Sequence, residues 1–343
     1  MARIRVFLCT YRRPTLLRRA LRSLMTQTLT DWICELHNDA PDDDSPLEVL
    51  REIAHDDGRF IYHAHDRNWG PVATFNHAFA GGPEPFASLL EDDNWWEPDF
   101  LATAVSTLEV NPTASLVWSN MKLWQEQSDR TWIDTARTVW SFASPPPPTV
   151  EFCTPESYQA FDALHSQGAM LFRPRAFRVT NVPSFLPLAI IELARERAAT
   201  GPLLLLTAPL AHFACTLSTA RDSDPSRWLQ AKLLVAASFF QHVSLSSEAL
   251  TKMWAVRRAQ RPRDTGIFFC LALTLRDARF LHDARLGDWI QFLLSTARHP
   301  IVLARGLGFR RAHPVSWNWF LAQSRAIGSG TARSTVLSKQ PLT

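Results

Sequence analysis

Short apolar segments and amphipathic helical segments alternate along the first 120 residues, and this alternation limits the fold more than any other feature. An apolar run at residues 3–9 is followed by a helix from Pro14, because proline suits the first helical turn. The other segments are predicted strands at 32–36, 60–63, 86–90 and 115–119, and predicted helices at 46–55, 71–79 and 99–109. Such alternation predicts a mostly parallel sheet flanked by helices.

Polar clusters follow three of the predicted strands directly. They occupy residues 10–13, 38–43 and 91–94. The carboxyl ends of parallel strands meet at one edge of a sheet, where ligands of open α/β sheets bind. The sequence therefore predicts one crevice that gathers all three clusters.

The most unusual of these clusters is Glu91-Asp92-Asp93. Consecutive carboxylates raise the pKa of one another unless a cation is bound. Magnesium and manganese prefer oxygen ligands and keep water or substrate phosphates, so an acidic loop suits either ion. The alternative is a solvated acidic turn before the helix that begins near Asp99.

Three segments together resemble one family. Thr10-Tyr11-Arg12-Arg13-Pro14, Asn68-Trp69-Gly70 with Asn76, and Glu91 to Asn94 with Pro98 are similar, in order and spacing, to family 2 glycosyltransferases of the GT-A fold. The resemblance covers residues 3–120 well and 165–220 weakly. It implies a Rossmann-like, mixed, mostly parallel sheet flanked by helices in a domain of residues 1–225, followed by a basic, mostly helical region at 226–343.

The resemblance also implies a reaction. An inverting enzyme of this family moves a sugar from a nucleotide-diphosphate donor, with UDP-sugars favoured here, to an acceptor hydroxyl on a saccharide, a lipid-linked molecule or a small molecule. Mg²⁺ or Mn²⁺ bridges the two phosphates and stabilises the departing diphosphate. By position, Asp93 is the implied principal metal ligand, Asp92 contacts ribose and metal, and Glu91 is the first acid of the motif. His212 is a further candidate metal ligand, although a histidine in an apolar run is also typical of a core residue.

Several residues are implied to line the nucleotide-sugar pocket. They are Thr10, Tyr11, Arg13, Asn38, Asp39, Arg67, Asn68, Gly70, Asn76 and Asp92. Asp39 is the favoured contact to the base, and Asn38 stands where the family usually has aspartate, so a simple Asx turn is the alternative there. Phe75 occupies the position of a common arginine, and Arg67 is the suggested substitute for it.

Inversion requires a base that takes the proton of the acceptor hydroxyl. The candidates are Glu192 and Glu196, one helical turn apart, and the resemblance favours Glu192. An exposed helix face on which these acids pair with Arg195 and Arg197 is the alternative.

The charge is distributed unevenly, because residues 226–343 carry 17 Lys and Arg against 5 Asp and Glu. This basic, tryptophan-containing region suits an anionic membrane surface, or it forms a packed extension or a homodimer contact. Nucleic acid is not an expected partner. The N-terminus lacks the apolar segment of a signal peptide, which indicates a cytoplasmic protein, in peripheral contact with the membrane if the first account holds.

A second class of function is compatible with the same residues. Departures from the family pattern at Asn38, Phe75 and Glu91 are what a noncatalytic binding module or scaffold on a glycosyltransferase fold would show. Loss of nucleotide binding would distinguish this class from an enzyme.

Overall fold

The computed structural model describes residues 2–142, 145–152, 166–187, 190–217, 224–260 and 264–337. The chain forms two compact units. The first comprises residues 1–152, 164–184 and 198–220, and the second comprises residues 153–163, 185–197 and 221–343.

The first unit is built on a sheet that has ten strands within the described ranges. In chain order these are β1 (Ile4–Thr10), β2 (Trp32–Asn38), β3 (Phe60–Ala64), β4 (Phe86–Glu91), β5 (Trp95–Trp96), β6 (Leu116–Glu126), β7 (Trp132–Thr138), β8 (Thr149–Phe152), β9 (Met170–Phe172) and β10 (Leu203–Cys215). The order across the sheet is β3-β2-β1-β4-β9-β6-β10-β5, with β7 beside β6 and β8 beside β10. The neighbours β3, β2, β1 and β4 are parallel, as are β6 and β10, while β9 runs antiparallel to both of its neighbours.

Four helices connect the strands of the first half of this unit. They are α1 (Pro14–Met25), α2 (Ser45–Ala54), α3 (Gly70–Ala80) and α4 (Phe100–Val110). Helix α1 buries Leu17, Leu21 and Leu24 against the sheet core, and each such leucine stabilises the fold by about 2 kcal/mol. The predicted fold class, a mixed sheet flanked by helices with a helical C-terminal part, is confirmed.

The parallel register places the predicted polar clusters at one edge. Thr10 pairs with Asn38 at the ends of β1 and β2, and Cys9 pairs with Glu91 at the end of β4. The expected crevice edge is therefore formed by the carboxyl ends of three neighbouring strands.

The second unit is helical in its described part. Its helices are α5 (Ile191–Ala198, the last residue of which belongs to the first unit), α6 (Pro225–Phe240), α7 (Ser247–Gln260), α8 (Gly266–Leu275), α9 (Leu286–Arg298), α10 (Pro300–Leu307), α11 (Phe309–Ala312) and α12 (Pro314–Leu337). Helix α6 packs against α8, α10, α11 and α12. The buried Trp254 stacks on Phe268 with ring centroids 4.2 Å apart and donates its indole N–H to the Phe280 carbonyl at 2.9 Å.

The division of the chain differs from the predicted boundary after residue 225. The first unit ends at Ala220, and residues 185–197 group with the second unit. The apolar stretch at 201–217, predicted to be a buried strand rather than a membrane segment, contains β10. Across the described ranges, no helix is long and apolar enough to cross a membrane.

Candidate active site

Two adjacent carboxylates lie at the centre of the sheet edge, in the loop after β4. Asp92 is buried, and its Oδ2 accepts a hydrogen bond from the Thr10 hydroxyl at 2.8 Å, while the Tyr11 backbone amide also donates to this carboxylate. The Arg13 Nη1 lies 3.0 Å from Asp93 Oδ2 and 3.5 Å from Asp92 Oδ1. The turn after β1 thus holds both acids.

Burial dominates the electrostatics of this pair. The loss of hydration and, second, the neighbouring Asp93 carboxylate together raise the pKa of Asp92 to about 7, against the opposing effects of Arg13 and Thr10. A divalent cation would favour the ionised form, and both acids supply the hard oxygen ligands that magnesium and manganese prefer. The residues at this position therefore fit such an ion.

Glu91, the first acid of the cluster, does not face this pair. Its Oε2 accepts hydrogen bonds from Ser166 Oγ at 2.6 Å, Asn94 Nδ2 at 2.8 Å and the Gly168 amide at 3.1 Å. This oxygen therefore holds the loop before β9, and the role of Glu91 as a metal ligand stays a prediction. A Cβ added to Gly168 would come within 2.6 Å of that oxygen, so a larger residue there would displace the Glu91 side chain.

His212 is also engaged within the fold. Its Nδ1 accepts from the Trp124 indole at 2.9 Å, its Nε2 lies 3.1 Å from Glu97 Oε1, and its ring stacks on Trp95 at 4.6 Å. Because Nδ1 accepts a hydrogen bond, Nε2 carries the proton of the neutral ring and donates it to Glu97. The prediction that His212 is a metal ligand is therefore corrected in favour of the core interpretation. Burial lowers the pKa of this ring, consistent with the neutral form.

Asp39 forms a second anionic centre beside the first. Its Oδ1 accepts from His65 Nδ1 at 2.9 Å and from the Trp69 amide at 2.6 Å, and its Oδ2 accepts from the Gly70 amide at 2.9 Å. Gly70 has φ +77°, a left-handed conformation that L side chains adopt at a cost. Asp39 thereby fixes the loop at the start of α3, and its Oδ2 retains a lone pair for a ligand.

Asn38 stabilises its own loop. Its Oδ1 accepts from the Ala40 amide at 3.0 Å, and its Nδ2 donates to the Asp43 carbonyl at 2.7 Å and to the Tyr62 hydroxyl at 3.1 Å. This buried side chain makes the Asx turn that the sequence left as the alternative. The prediction that Asn38 contacts the base is corrected accordingly.

Asn76 on α3 is bound to another segment of the first unit. Its Nδ2 donates to the Val182 carbonyl at 2.8 Å and its Oδ1 accepts from the Val182 amide at 2.8 Å. The predicted donor contact by Asn76 is therefore corrected to a structural role. Arg67 and Asn68 are exposed in the loop before α3, where a ligand can reach them.

Arg19 is a site residue that the sequence did not single out. From α1 its Nη2 donates to the Asp93 carbonyl at 2.7 Å, and its guanidinium lies 3.7 Å from the Trp95 ring centroid and 4.4 Å from that of Trp132. Burial lowers the pKa of Arg19 to about 10. The helical pattern assigned this residue to the polar face of α1, and only the tertiary fold shows that it packs over the acidic loop.

Both candidate bases lie on α5. Glu196 and its neighbour Arg195 are fully buried, and burial lowers the pKa of Arg195 to about 9. The exposed helix face that served as the alternative is therefore wrong for these two residues. The side chain of Glu192 lies outside the described residues, although its backbone is part of the helix.

The fold and the acidic sheet edge define a domain of the GT-A class. Residues 5–151 match the profile of glycosyl transferase family 2, so this part of the chain is a glycosyltransferase domain of that family, and the predicted family is confirmed. A curated relative, succinoglycan biosynthesis protein ExoW of Rhizobium meliloti (strain 1021), is 32% identical over 114 residues, which are 32% of this chain and 34% of that protein. The match thus spans about a third of the relative's length.

Solved structures of S. aureus TarS share the fold along the chain. The complex of TarS 1-349 with UDP-GlcNAc has a TM-score of 0.52 at 12% identity, covering 97% of this chain and 92% of that one. The complex with UDP has a TM-score of 0.50 at 13% identity, with the same coverage. At these identities the likeness establishes the fold alone.

Proposed function

We propose that the chain is an inverting glycosyltransferase that moves a sugar from a UDP-sugar to an acceptor hydroxyl. The observation that carries this proposal is the carboxylate pair Asp92 and Asp93, held by Thr10 and Arg13 at the edge of a family 2 domain. The UDP and UDP-GlcNAc complexes of the TarS structures support a uridine donor. The relation to a succinoglycan biosynthesis protein supports an acceptor in bacterial polysaccharide or glycoconjugate synthesis.

Mg²⁺ or Mn²⁺ is proposed to bind at Asp93 and Asp92. Asp93 is the better placed ligand, because its side chain is 21% exposed whereas that of Asp92 is 9% exposed. When bound, the ion supplies Lewis-acid stabilisation of the diphosphate. Arg13, already between the two acids, is positioned to meet the same negative charge.

The base moiety is assigned to the second anionic centre. Asp39 is fixed by three hydrogen bonds and keeps acceptor capacity on Oδ2, which suits an N–H donor of a pyrimidine. Tyr11, in the loop after β1, is 46% exposed and offers a ring face on which the base can stack.

The reaction forms a bond between the acceptor oxygen and the anomeric carbon and breaks the bond from that carbon to the diphosphate. The acceptor proton passes to a carboxylate, for which Glu192 is proposed first and Glu196 second. The diphosphate leaves with the electron pair of the broken bond.

The experiment is a turnover assay of the purified chain with a panel of UDP-sugars and Mn²⁺. Asp93→Asn is expected to lower turnover by at least about 100-fold, because it removes stabilisation of charge that develops in the transition state. Asp56→Asn, which changes an exposed acid in the turn before β3, is the matched control and should retain full activity.

Two further measurements separate the alternatives. Glu192→Gln is expected to lower kcat with little effect on UDP binding, and a normal kcat would move the base to Glu196. Absence of UDP binding by calorimetry, with or without Mn²⁺, would contradict the enzyme and favour the noncatalytic scaffold.

Helix α9 is the proposed contact with an anionic membrane surface. Four of its apolar side chains face solvent, since Leu286, Ile290, Leu293 and Leu294 are each at least 50% exposed. The helix lies in the strongly basic part of the chain, which complements anionic headgroups. A homodimer contact through the same face is the alternative, and vesicle binding by variants of α9 distinguishes the two.

A further inference from the structure

Three histidine rings surround one oxygen atom of Glu35. Its Oε2 lies 3.1 Å from His37 Nε2, 3.4 Å from His77 Nε2 and 3.8 Å from His63 Nε2. The other oxygen, Oε1, accepts from the Arg5 guanidinium, which also binds Glu84. Among the described residues, Glu35, His37 and His77 form the one group of three potential metal ligands whose ligand atoms all lie within 4.8 Å of one another.

Three different elements position these groups. Glu35 and His37 are two residues apart on β2 and so share one face of the sheet, and the parallel register pairs His37 with His63 on β3. Helix α3 contributes His77 to this group. The ring of Phe7 on β1 contacts that of His77 edge-on, with centroids 5.6 Å apart. The cluster is therefore set by sheet register and helix position rather than by a flexible loop.

The chemistry of this group differs from that of the carboxylate pair. Zinc binds imidazole nitrogen and carboxylate oxygen at about 2.0–2.2 Å in tetrahedral sites, which places the ligand atoms about 3.3 Å apart. The distances from Glu35 Oε2 to His37 Nε2 and to His77 Nε2 are close to this spacing, whereas His63 Nε2 lies farther away and its ring stacks on that of His37 at an interplanar angle of 16°. Magnesium and calcium prefer oxygen ligands, so a site with two imidazoles and one carboxylate selects a transition metal.

His63 supplies a second observation that points to a ligand. Its Nε2 is a buried atom that has no hydrogen-bond partner within the described part of the chain, and it faces the Glu35 carboxylate. A buried polar nitrogen without a partner costs about 1–3 kcal/mol. A water ligand of an ion held by Glu35, His37 and His77 would give it a partner.

An outer ring of hydrogen bonds fixes the cluster. His37 Nδ1 lies 3.0 Å from His65 Nε2, and His65 Nδ1 lies 2.9 Å from Asp39 Oδ1. If His37 Nε2 binds a metal, its Nδ1–H donates to His65, whose Nδ1–H in turn donates to Asp39. Carboxylate–histidine–metal chains of this kind hold the ligand ring in one tautomer.

We propose that Glu35, His37 and His77 hold a zinc ion, separate from the carboxylate pair and linked through His65 to Asp39. Because these ligands lie on β2 and α3, a bound ion would tie the two elements together beside the loop that Asp39 holds.

The test is metal binding by the purified full chain, stripped with chelator and titrated with zinc or with cobalt as a spectroscopic probe. One equivalent is expected to bind, and cobalt should give the visible d–d bands of a tetrahedral site. His77→Ala removes a ligand and should weaken binding by at least about 100-fold, while His63→Ala removes a neighbouring imidazole and should weaken it by about 10-fold, since outer-shell changes cost 10–100-fold. These rings are 45% and 42% exposed, so both variants should fold, which circular dichroism checks.

Two controls separate this site from other metal binding. His282→Ala removes a histidine 79% exposed in the second unit, and Asp93→Asn changes the proposed magnesium or manganese site. Both should keep the full zinc equivalent. The proposal would be overturned if the wild type did not bind zinc, if His77→Ala and His63→Ala bound zinc as tightly as the wild type, or if Asp93→Asn lost the zinc. Each of these outcomes is independent of the turnover assay.

Discussion

At the scale of single residues, Asp92 carries the clearest conflict between stability and function. Burial raises its pKa from 3.8 to about 7, so between these values the folded chain holds a proton that the unfolded chain has lost. Stability from this group therefore falls as pH rises from about 4 to about 7. The same ionised form is the one that a divalent cation needs.

We predict that Asp92→Asn stabilises the metal-free protein at pH 8 while lowering turnover. The asparagine retains an acceptor for Thr10 but removes the cost of burying a charge. Urea unfolding of both proteins without divalent ions should show the gain at pH 8 and little difference at pH 5, where Asp92 is already protonated. A variant less stable than the wild type at pH 8 would contradict this account of the site.

How much of the site was predictable also depends on single residues. The strand-end rule placed Thr10, Asp39 and Asp92 at one edge, since it needs only the pattern of apolar segments. It does not give the direction of a side chain, and so it could not show that hydrogen bonds within the fold engage Glu91 and His212, both predicted metal ligands. His65 directly follows β3 and could have been found by the same rule, whereas Arg19 required the packing of α1 over the acidic loop.

At the scale of elements, the start of α3 is the most constrained junction. Asp39 accepts from the Trp69 and Gly70 amides, and Gly70 must keep a positive φ to present its N–H.

Strands β1 to β4 were predictable because their apolar runs are separated by clear helices. Strands β7 and β8 were not, because the stretch after β6 has no regular apolar pattern and contains a run of prolines at 145–148.

We predict that Gly70→Ala weakens UDP binding more than it weakens the fold. The left-handed backbone costs alanine about 1 kcal/mol, and relief of that strain moves the amide away from Asp39. Calorimetry with UDP should show several-fold weaker binding. Unfolding of the variant by urea should keep the cooperativity of the wild type. Gly58→Ala, at a glycine with open space around its Cβ position, is the control and should bind normally.

At the scale of the whole molecule, the proposed membrane contact rests on the basic C-terminal region and on the exposed face of α9. The charge imbalance was readable from the sequence, as was the amphipathic pattern of the helix. The grouping of residues 185–197 with the helical unit was not, because a contact made by a short segment leaves no local pattern.

We predict that the chain binds phosphatidylglycerol vesicles more tightly than phosphatidylcholine vesicles, and less tightly at high salt. The triple change Ile290→Ser, Leu293→Ser and Leu294→Ser should weaken sedimentation with vesicles by at least about 10-fold, since each apolar side chain contributes about 1.5 kcal/mol when buried. Val110→Ser, at a residue 74% exposed in the first unit, is the control. Unchanged vesicle binding together with a concentration-dependent dimer that the triple change dissolves would assign α9 to self-association.

The bridge from Arg13 to both carboxylates has a consequence for the order of binding events. With one guanidinium shared by two acids, and with Asp92 half protonated near neutral pH, the chain largely cancels its own negative charge at this point. A free divalent ion therefore meets little net attraction. The diphosphate brings the missing negative charge, so cation and donor are expected to arrive as one complex, and saturation by either should depend on the concentration of the other.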